Sequence, residues 1–319
     1  MSEYVPLWVK SNHSFLEGAS FPEELVERAH ALGLPAVAIT DRDGVYGLVR
    51  AHMRAKELGI RILTGAQVTL DVGGREFPIV TLAKTRRGYA HLCRALSLGH
   101  ARCEKGTSLL QPEDLQDTED LLFLCPAPDP LRALHATHGP SSTFALCVRQ
   151  LSDRERPLEK QLRLAAAELG VEAVGANEVL YHDPVRCPLQ DVLACIRAGK
   201  VLSEAGHTIR CNAEHDLKAP TATAQLFIDD PTCLRRTLEL AEQCTFTLDD
   251  IRYRYPEEDL PSGTTEQSWL RELTFDGARK RYQGKVPTDV RMQIERELAI
   301  IRKLDYGGYF LTMYEIVQY

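Results

Sequence analysis

The strongest constraint on the fold is a rhythm. Through the first half of the chain, short runs rich in β-branched residues and leucine alternate with segments of helical periodicity, the pattern of parallel βα units. "ASFPEELVERAHALG" reads as a helix. Ser20 and Glu23 have capping-box spacing, Leu25, Val26, Ala29 and Leu32 share a face, and Gly33 can close it. "PAVAIT" follows as a buried strand ending at Asp41, then a helix with Val45, Leu48, Ala51, Ala55 and Leu58 on one side, then the strand "RILTGAQVTL". The pattern recurs through "FPIVTLAK", "DLLFLC", "TFALCV" and "EAVGAN". Six or seven such strands predict a closed or nearly closed β/α barrel, with an open doubly wound sheet sharing the same local signature.

From about Leu189 the strands stop. "PLQDVLACIRAG" and "TCLRRTLELAEQC" read as helices, and "IRYRYPEEDLPSG" has the composition of an extended connector. The final stretch is helical, with Val290, Ile294, Leu298, Ile301 and Leu304 forming one apolar stripe. A domain boundary is placed near Glu257, giving 1–256 and 257–319.

Composition narrows the class further. A formal charge of −7 argues against a surface that attracts nucleic acid everywhere, while leaving room for a local basic groove. Nine cysteines without a C-x-x-C pair fit neither a disulfide framework nor a thiolate zinc site, and point to a reducing cytoplasm. The opening "MSEYVPLWVK" lacks a signal pattern and no run is long enough to span a membrane, so a cytoplasmic protein without membrane contact is expected.

In a β/α barrel, the loops after the strand C-termini build the site. The candidates there are Trp8, Lys10, Asp41, Arg42, Gln67, Glu178 and Leu180. A hydrolytic metal centre needs imidazoles and carboxylates at most of these places, and only Asp41 and Glu178 are carboxylates.

The stretch "LWVKSNHSFLEGASFPEELVERAHALGLPAVAITDRDGVYGLVRAHMRAKELGIRILTGAQVTL" resembles the start of the PHP (polymerase and histidinol phosphatase) domain of bacterial C-family DNA polymerases, the DNA polymerase III alpha subunit-like enzymes. "LYHDPVRCPLQDVLACIRAGKVLSEAG" and "ERELAIIRKLDYGGYFLTMYEIVQY" resemble the error-prone, DnaE-type branch. The resemblance implies a PHP-type distorted barrel of about seven strands followed by the first helices of the polymerase palm. It also implies a metal site with His-x-His where this chain has Trp8 and Lys10, Asp-His where it has Asp41 and Arg42, Gly-Ala-Glu where it has Gly65, Ala66 and Gln67, and Asp-x-His where it has Glu178 and Leu180. His91, His100 and Cys125 are candidates for the middle ligands. Five of seven placed positions have lost a good ligand, so an emptied site without bound metal is expected, with Lys10 and Arg42 paired to Asp41 and Glu178.

The resemblance further implies a parent enzyme that performs DNA-directed DNA synthesis with Mg2+ on primer-template DNA, in damage-induced mutagenesis. Its catalytic carboxylates would follow "YFLTMYEIVQY", so residues 1–319 alone should not polymerise. Two roles are weighed for the piece itself. One is a non-catalytic structural domain contacting the rest of the polymerase chain and mutagenesis or replication accessory proteins. The other is a metal-dependent phosphoesterase acting as a 3′-5′ exonuclease. Three further features receive plain readings: His182 as a turn residue, His13 as a packing residue, and Arg279, Lys280, Arg281 and Lys285 as a solvated helix end.

Overall fold

A computed structural model describes residues 3–116, 118, 120–153, 155–251, 260–261 and 263–319. The chain divides into two compact units, Met1–Ile251 and Arg252–Tyr319. The boundary expected near Glu257 lies outside the described residues.

The first unit is built on one six-stranded sheet in the order β1 to β6: Ala36–Ile39, Arg61–Val72, Arg75–Ala83, Leu121–Cys125, Thr143–Val148 and Ala173–Ala176. Pairing is parallel for β1–β2, β4–β5 and β5–β6, and antiparallel for β2–β3 and β3–β4. The rhythm of parallel units therefore breaks in the middle. Gly73 and Gly74, with φ of 64° and 79°, form a two-residue turn whose backbone only glycine adopts without strain, and it folds β2 directly onto β3.

The N-terminal segment supplies the seventh element of the ring. Pro6 and Val9 carbonyls accept from Ala38 and Thr40 on the β1 side. On the other side, the Lys10 amide donates to the Val179 carbonyl and the Val179 amide to the Trp8 carbonyl, both at 2.9 Å. Residues 6–10 thus join β1 to the segment after β6, so the curled sheet closes through its own N-terminus.

Alternate strand residues feed two apolar layers. Val37, Ile39, Phe123, Ala145 and Cys147 pack with the helices, while Ala38, Leu122, Leu124, Leu146 and Val174 pack in a second layer with Trp8. Burial on both faces explains why the strands read as continuous apolar runs rather than alternating ones. The surrounding helices are α1 Pro22–Ala31, α2 Leu48–Leu58, α3 Arg86–Ala101, α4 Pro128–His138, α5 Glu155–Leu169, α6 Cys187–Ala198, α7 Pro220–Leu226 and α8 Pro231–Gln243.

The start of α1 differs from its expected cap. Phe21 is the N-cap, and its backbone N–H donates to Glu24 Oε2 at 2.8 Å. Ser20 instead faces inward and accepts the His182 amide at 2.9 Å, with Oγ 2.7 Å from His182 Nδ1. The pairing of Ser20 with a turn 162 residues away outweighed the local capping option.

The second unit is helical as expected: α9 Glu266–Arg281, α10 Thr288–Leu304 and α11 Gly307–Gln318. The stripe at Val290, Ile294, Leu298 and Ile301 is half-buried, whereas Leu304 is exposed. Arg279, Lys280, Arg281 and Lys285 are exposed at the end of α9.

Candidate functional site: a pocket at the strand ends

The loop 11–18 after the N-terminal segment, the ends of β1 and β6, and the middle of β2 bring the predicted residues together. Three corners result, each satisfied differently.

At the first corner, Asp41 is wholly buried and its carboxylate is held by neutral donors. The Ser11 amide donates to Oδ1 at 2.6 Å, the Ser14 hydroxyl to Oδ1 at 2.7 Å, and the Ser11 hydroxyl lies 2.8 Å from Oδ2. Burial nevertheless raises the Asp41 carboxyl above the ordinary aspartate value, despite these bonds from Ser14 and Ser11. Gly47 closes the corner: a Cβ there would sit 2.6 Å from Asp41 Oδ2 and 2.7 Å from Ser11 Oγ.

At the second corner, Lys10 Nζ lies 2.5 Å from Glu178 Oε1 and 3.0 Å from Glu17 Oε2. Arg210 Nη2 reaches Glu178 Oε2 at 2.7 Å, with His215 Nδ1 3.6 Å from the same oxygen. Burial alone would raise the Glu178 carboxyl, but Lys10 and Arg210 hold it at about 2. His215 is lowered as well, to about 4, because its burial outweighs the attraction of Glu178. Glu17 collects Lys10, Arg42 at 3.2 Å and Arg197, and Lys10 and Arg42 keep it ionised against its own burial.

The third corner joins Trp8 and Gln67. Trp8 Nε1 donates to Gln67 Oε1 at 3.0 Å, and Lys10 Nζ sits 5.4 Å from the Trp8 ring centroid, within cation–π range. An indole N–H needs an acceptor and an amide oxygen supplies one without bringing a second charge, so the two residues suit each other.

The expected pairing of cations with Asp41 and Glu178 is half right. Lys10 pairs with Glu178, but Arg42 turns to Glu17 and Asp41 takes hydroxyls. Arg42 points away because its own backbone is pinned: its amide donates to Ser14 Oγ at 2.9 Å and it bridges to Gln67 in parallel register. Leu180 is fully buried beside Ala19 and Tyr181 and takes part only through its backbone, accepting from Ala19 at 2.7 Å. Of the candidates for middle ligands, His100 comes nearest, with Nε2 2.7 Å from the Asp43 carbonyl. Cys125 is locked inside β4, where burial pushes its thiol up, and no hydrogen bond among the described residues joins it or His91 to the pocket.

Glu17, Ser11, Ser14, Arg210 and His215 were not anticipated. The first three lie in "KSNHSFLEG" directly after Lys10, so their nearness was available from the sequence. Arg210 is 32 residues from Glu178 and no local signal points to it.

The donor set is a poor match for a divalent metal centre. An ammonium, two guanidinium groups and an indole N–H cannot coordinate a cation, and the Asp41 and Glu178 carboxylates already hold protein donors. Among the described residues, no group of three or more His, Cys, Asp and Glu side chains is arranged to hold a metal ion.

The comparisons with known proteins place this pocket in context. Residues 7–141 match the family model of the PHP domain, and residues 268–319 match that of the bacterial DNA polymerase III alpha NTPase domain. The chain is similar over 99% of its length to proteins named error-prone DNA polymerase: 38% identical to that of Mesorhizobium japonicum, of which it covers 29%, and 37% identical to that of Bordetella parapertussis, of which it covers 32%. The Caulobacter vibrioides protein of the same name is 38% identical and 30% covered. The chain thus spans about a third of the length of the curated relatives it matches. A solved chain from Bifidobacterium adolescentis, provisionally described as a metal-dependent phosphoesterase, aligns over 56% of this chain and 88% of its own at 15% identity and a TM-score of 0.40. No described helix is long and apolar enough to cross a membrane.

Proposed function

We propose that this chain is the PHP and early palm portion of a cytoplasmic error-prone DNA polymerase, and that its PHP domain serves as a non-catalytic structural and interaction domain. The observation that carries the second part is the Lys10 ammonium 2.5 Å from Glu178, a fixed protein cation where the family's resemblance expects metal ligation. Together with the serine cradle of Asp41 and the Trp8–Gln67 bond, it ties the N-terminal segment to β1, β2 and the segment after β6. The network therefore does what a bridging metal cluster would do mechanically, without offering an open coordination position or a metal-activated water.

Synthesis on primer-template DNA, the Mg2+ it requires, and contacts to the remainder of the polymerase chain or to mutagenesis and replication accessory proteins belong to this proposal as properties of the longer polymerase. The PHP domain's part in it is to hold its own barrel closed and present its surface. Elemental analysis of the purified chain without added metal, followed by a nuclease assay with manganese, tests the reading. Substoichiometric metal and no chelator-sensitive degradation of a primer 3′ end are expected. Stoichiometric metal near Asp41 with matching exonuclease activity would overturn it in favour of a phosphoesterase.

A further inference from the structure

The outer face of α3 carries a charge pattern that the pocket does not use. From Lys84 to Lys105 the chain has six cations, Lys84, Arg86, Arg87, Arg94, Arg102 and Lys105, against one carboxylate, Glu104, in a molecule of formal charge −7. The helix itself contains no acidic residue, and Arg86, Arg87, Ala90, Arg94, Ser97 and Ala101 are all exposed on it. Neighbours hold two of the cations: Arg87 Nε lies 2.9 Å from Asp120 Oδ2, and Arg102 Nη2 lies 2.9 Å from Asp114 Oδ1. Lys84, Arg86, Arg94 and Lys105 make no ion pair among the described residues. Helix stability does not explain the placement. The first turn of α3 holds Arg86 and Arg87 and no acid, at the end where the positive pole of the helix dipole disfavours cations.

The rest of the face narrows the kind of partner. Leu98, 39% exposed, is the one large apolar side chain on it, so it lacks the desolvated anchors around which a protein interface forms. It also lacks a platform for unpaired bases, because Tyr89 is the one Phe, Tyr or Trp of α3 and is half-buried, stacked on Phe246 at 4.8 Å. What remains is cations separated by small side chains. Arg87 and Arg94 lie on one side of the helix about 10 Å apart along its axis, which matches about three phosphates of one DNA strand at 3.4 Å each. Ala90, Ser97 and Ala101 leave room beside them for a backbone to approach.

We propose that the outer face of α3 is a docking surface for the phosphate backbone of duplex DNA, held by charge and without base readout. Arg86 and Arg94 contact phosphates directly, Lys84 and Lys105 extend the track at either end, and Arg87 and Arg102 are kept in place by Asp120 and Asp114. This role lies outside the pocket and is independent of whether the pocket holds metal, so metal analysis and DNA binding fail separately.

The test is fluorescence anisotropy of a labelled duplex of about 20 base pairs, titrated with the 319-residue chain between about 50 and 200 mM salt. The logarithm of the affinity should fall linearly with the logarithm of salt, equally for two unrelated duplex sequences. Arg86→Gln combined with Arg94→Gln should lower that slope by about 1.8, since each neutralised phosphate contributes about 0.9, so the variant loses about tenfold less affinity over the same range. Arg94→Lys should keep the slope, because a point charge suffices, and Lys280→Gln with Arg281→Gln should leave it unchanged. No binding by the parent chain at low salt, or a slope that the paired α3 variant does not alter, would overturn the proposal. So would competition by polyglutamate as strong as that by unlabelled duplex, which would make the occupant an acidic protein, or tighter binding of a single strand of equal length. Thermal unfolding gives a second readout: Arg86→Gln should melt at or above the parent temperature, because it removes a cation from the wrong end of the dipole. A lower melting temperature would mean that Arg86 serves the fold and would count against a DNA contact.

Discussion

Asp41 and Glu178 are two buried carboxylates in one pocket, and they are kept there by opposite means. Asp41 is surrounded by hydroxyls and an amide, which satisfy its lone pairs but bring no charge, and burial shifts its carboxyl upward. Glu178 is surrounded by Lys10 and Arg210, and its carboxyl falls to about 2. Hydrogen bonding alone makes a buried acid tolerable, whereas opposite charge makes its ionised form a source of stability. The two corners should therefore fail under different insults.

The largest difference is expected when the central cation is removed. Lys10→Met leaves Glu178 and Glu17 buried without the ammonium between them, which costs about 3–5 kcal/mol by the usual effect of breaking a buried pair. Urea unfolding at pH 7 measures it. Adding Glu178→Gln to Lys10→Met should recover part of the loss, and a double variant as unstable as the single one would show that packing of the lysine stem, rather than charge, holds this corner.

Acid should separate the corners next. The Glu178 carboxyl is depressed from 4.5 in the unfolded chain to about 2 in the folded one, so its contribution is present above pH 4.5 and is lost as pH falls toward 2. The shift corresponds to about 3 kcal/mol. Asp41 runs the other way: its folded value lies above 3.8, so its contribution is full below that pH and declines as pH rises through the folded value. Unfolding free energies between pH 2 and 6 should show a shallower acid loss in Glu178→Gln than in the parent, and a steeper one in Asp41→Asn. Parallel curves for all three chains would contradict the assigned shifts.

A smaller effect should belong to the Asp41 corner alone. Gly47→Ala drives a methyl group to within 2.6 Å of Asp41 Oδ2, and overpacking of this kind costs about 1–3 kcal/mol. The acid limb carried by Glu178 should keep its shape in this variant. A change in that limb would mean that the two corners are coupled through loop 11–18.

Parts of this arrangement were legible beforehand. The apolar runs of β1, β4, β5 and β6 were readable because burial on both faces leaves Thr143 as the one polar residue in them, and α1, α6 and α8 because their apolar faces recur with helical spacing. The β2–β3 hairpin was missed, although "DVGGRE" carried the two-glycine turn that makes it. Ser20 was misread as a cap for a better reason, since the His182 that claims it comes from the far end of the barrel.

What the sequence by itself determined is chemical: which residue types stand at the strand ends, and that among the seven placed positions only Asp41 and Glu178 are carboxylates and none is an imidazole. That Arg42 serves Glu17 and not Asp41, that Arg210 and His215 complete the Glu178 corner, and that Gln67 answers Trp8 were decided only by the closed ring, which sets Lys10 against Glu178 across 168 residues of chain. The reason is physical. Residue type fixes what a group can donate, accept or ionise, but the partner it finds depends on distances of a few ångströms between segments that no local pattern relates.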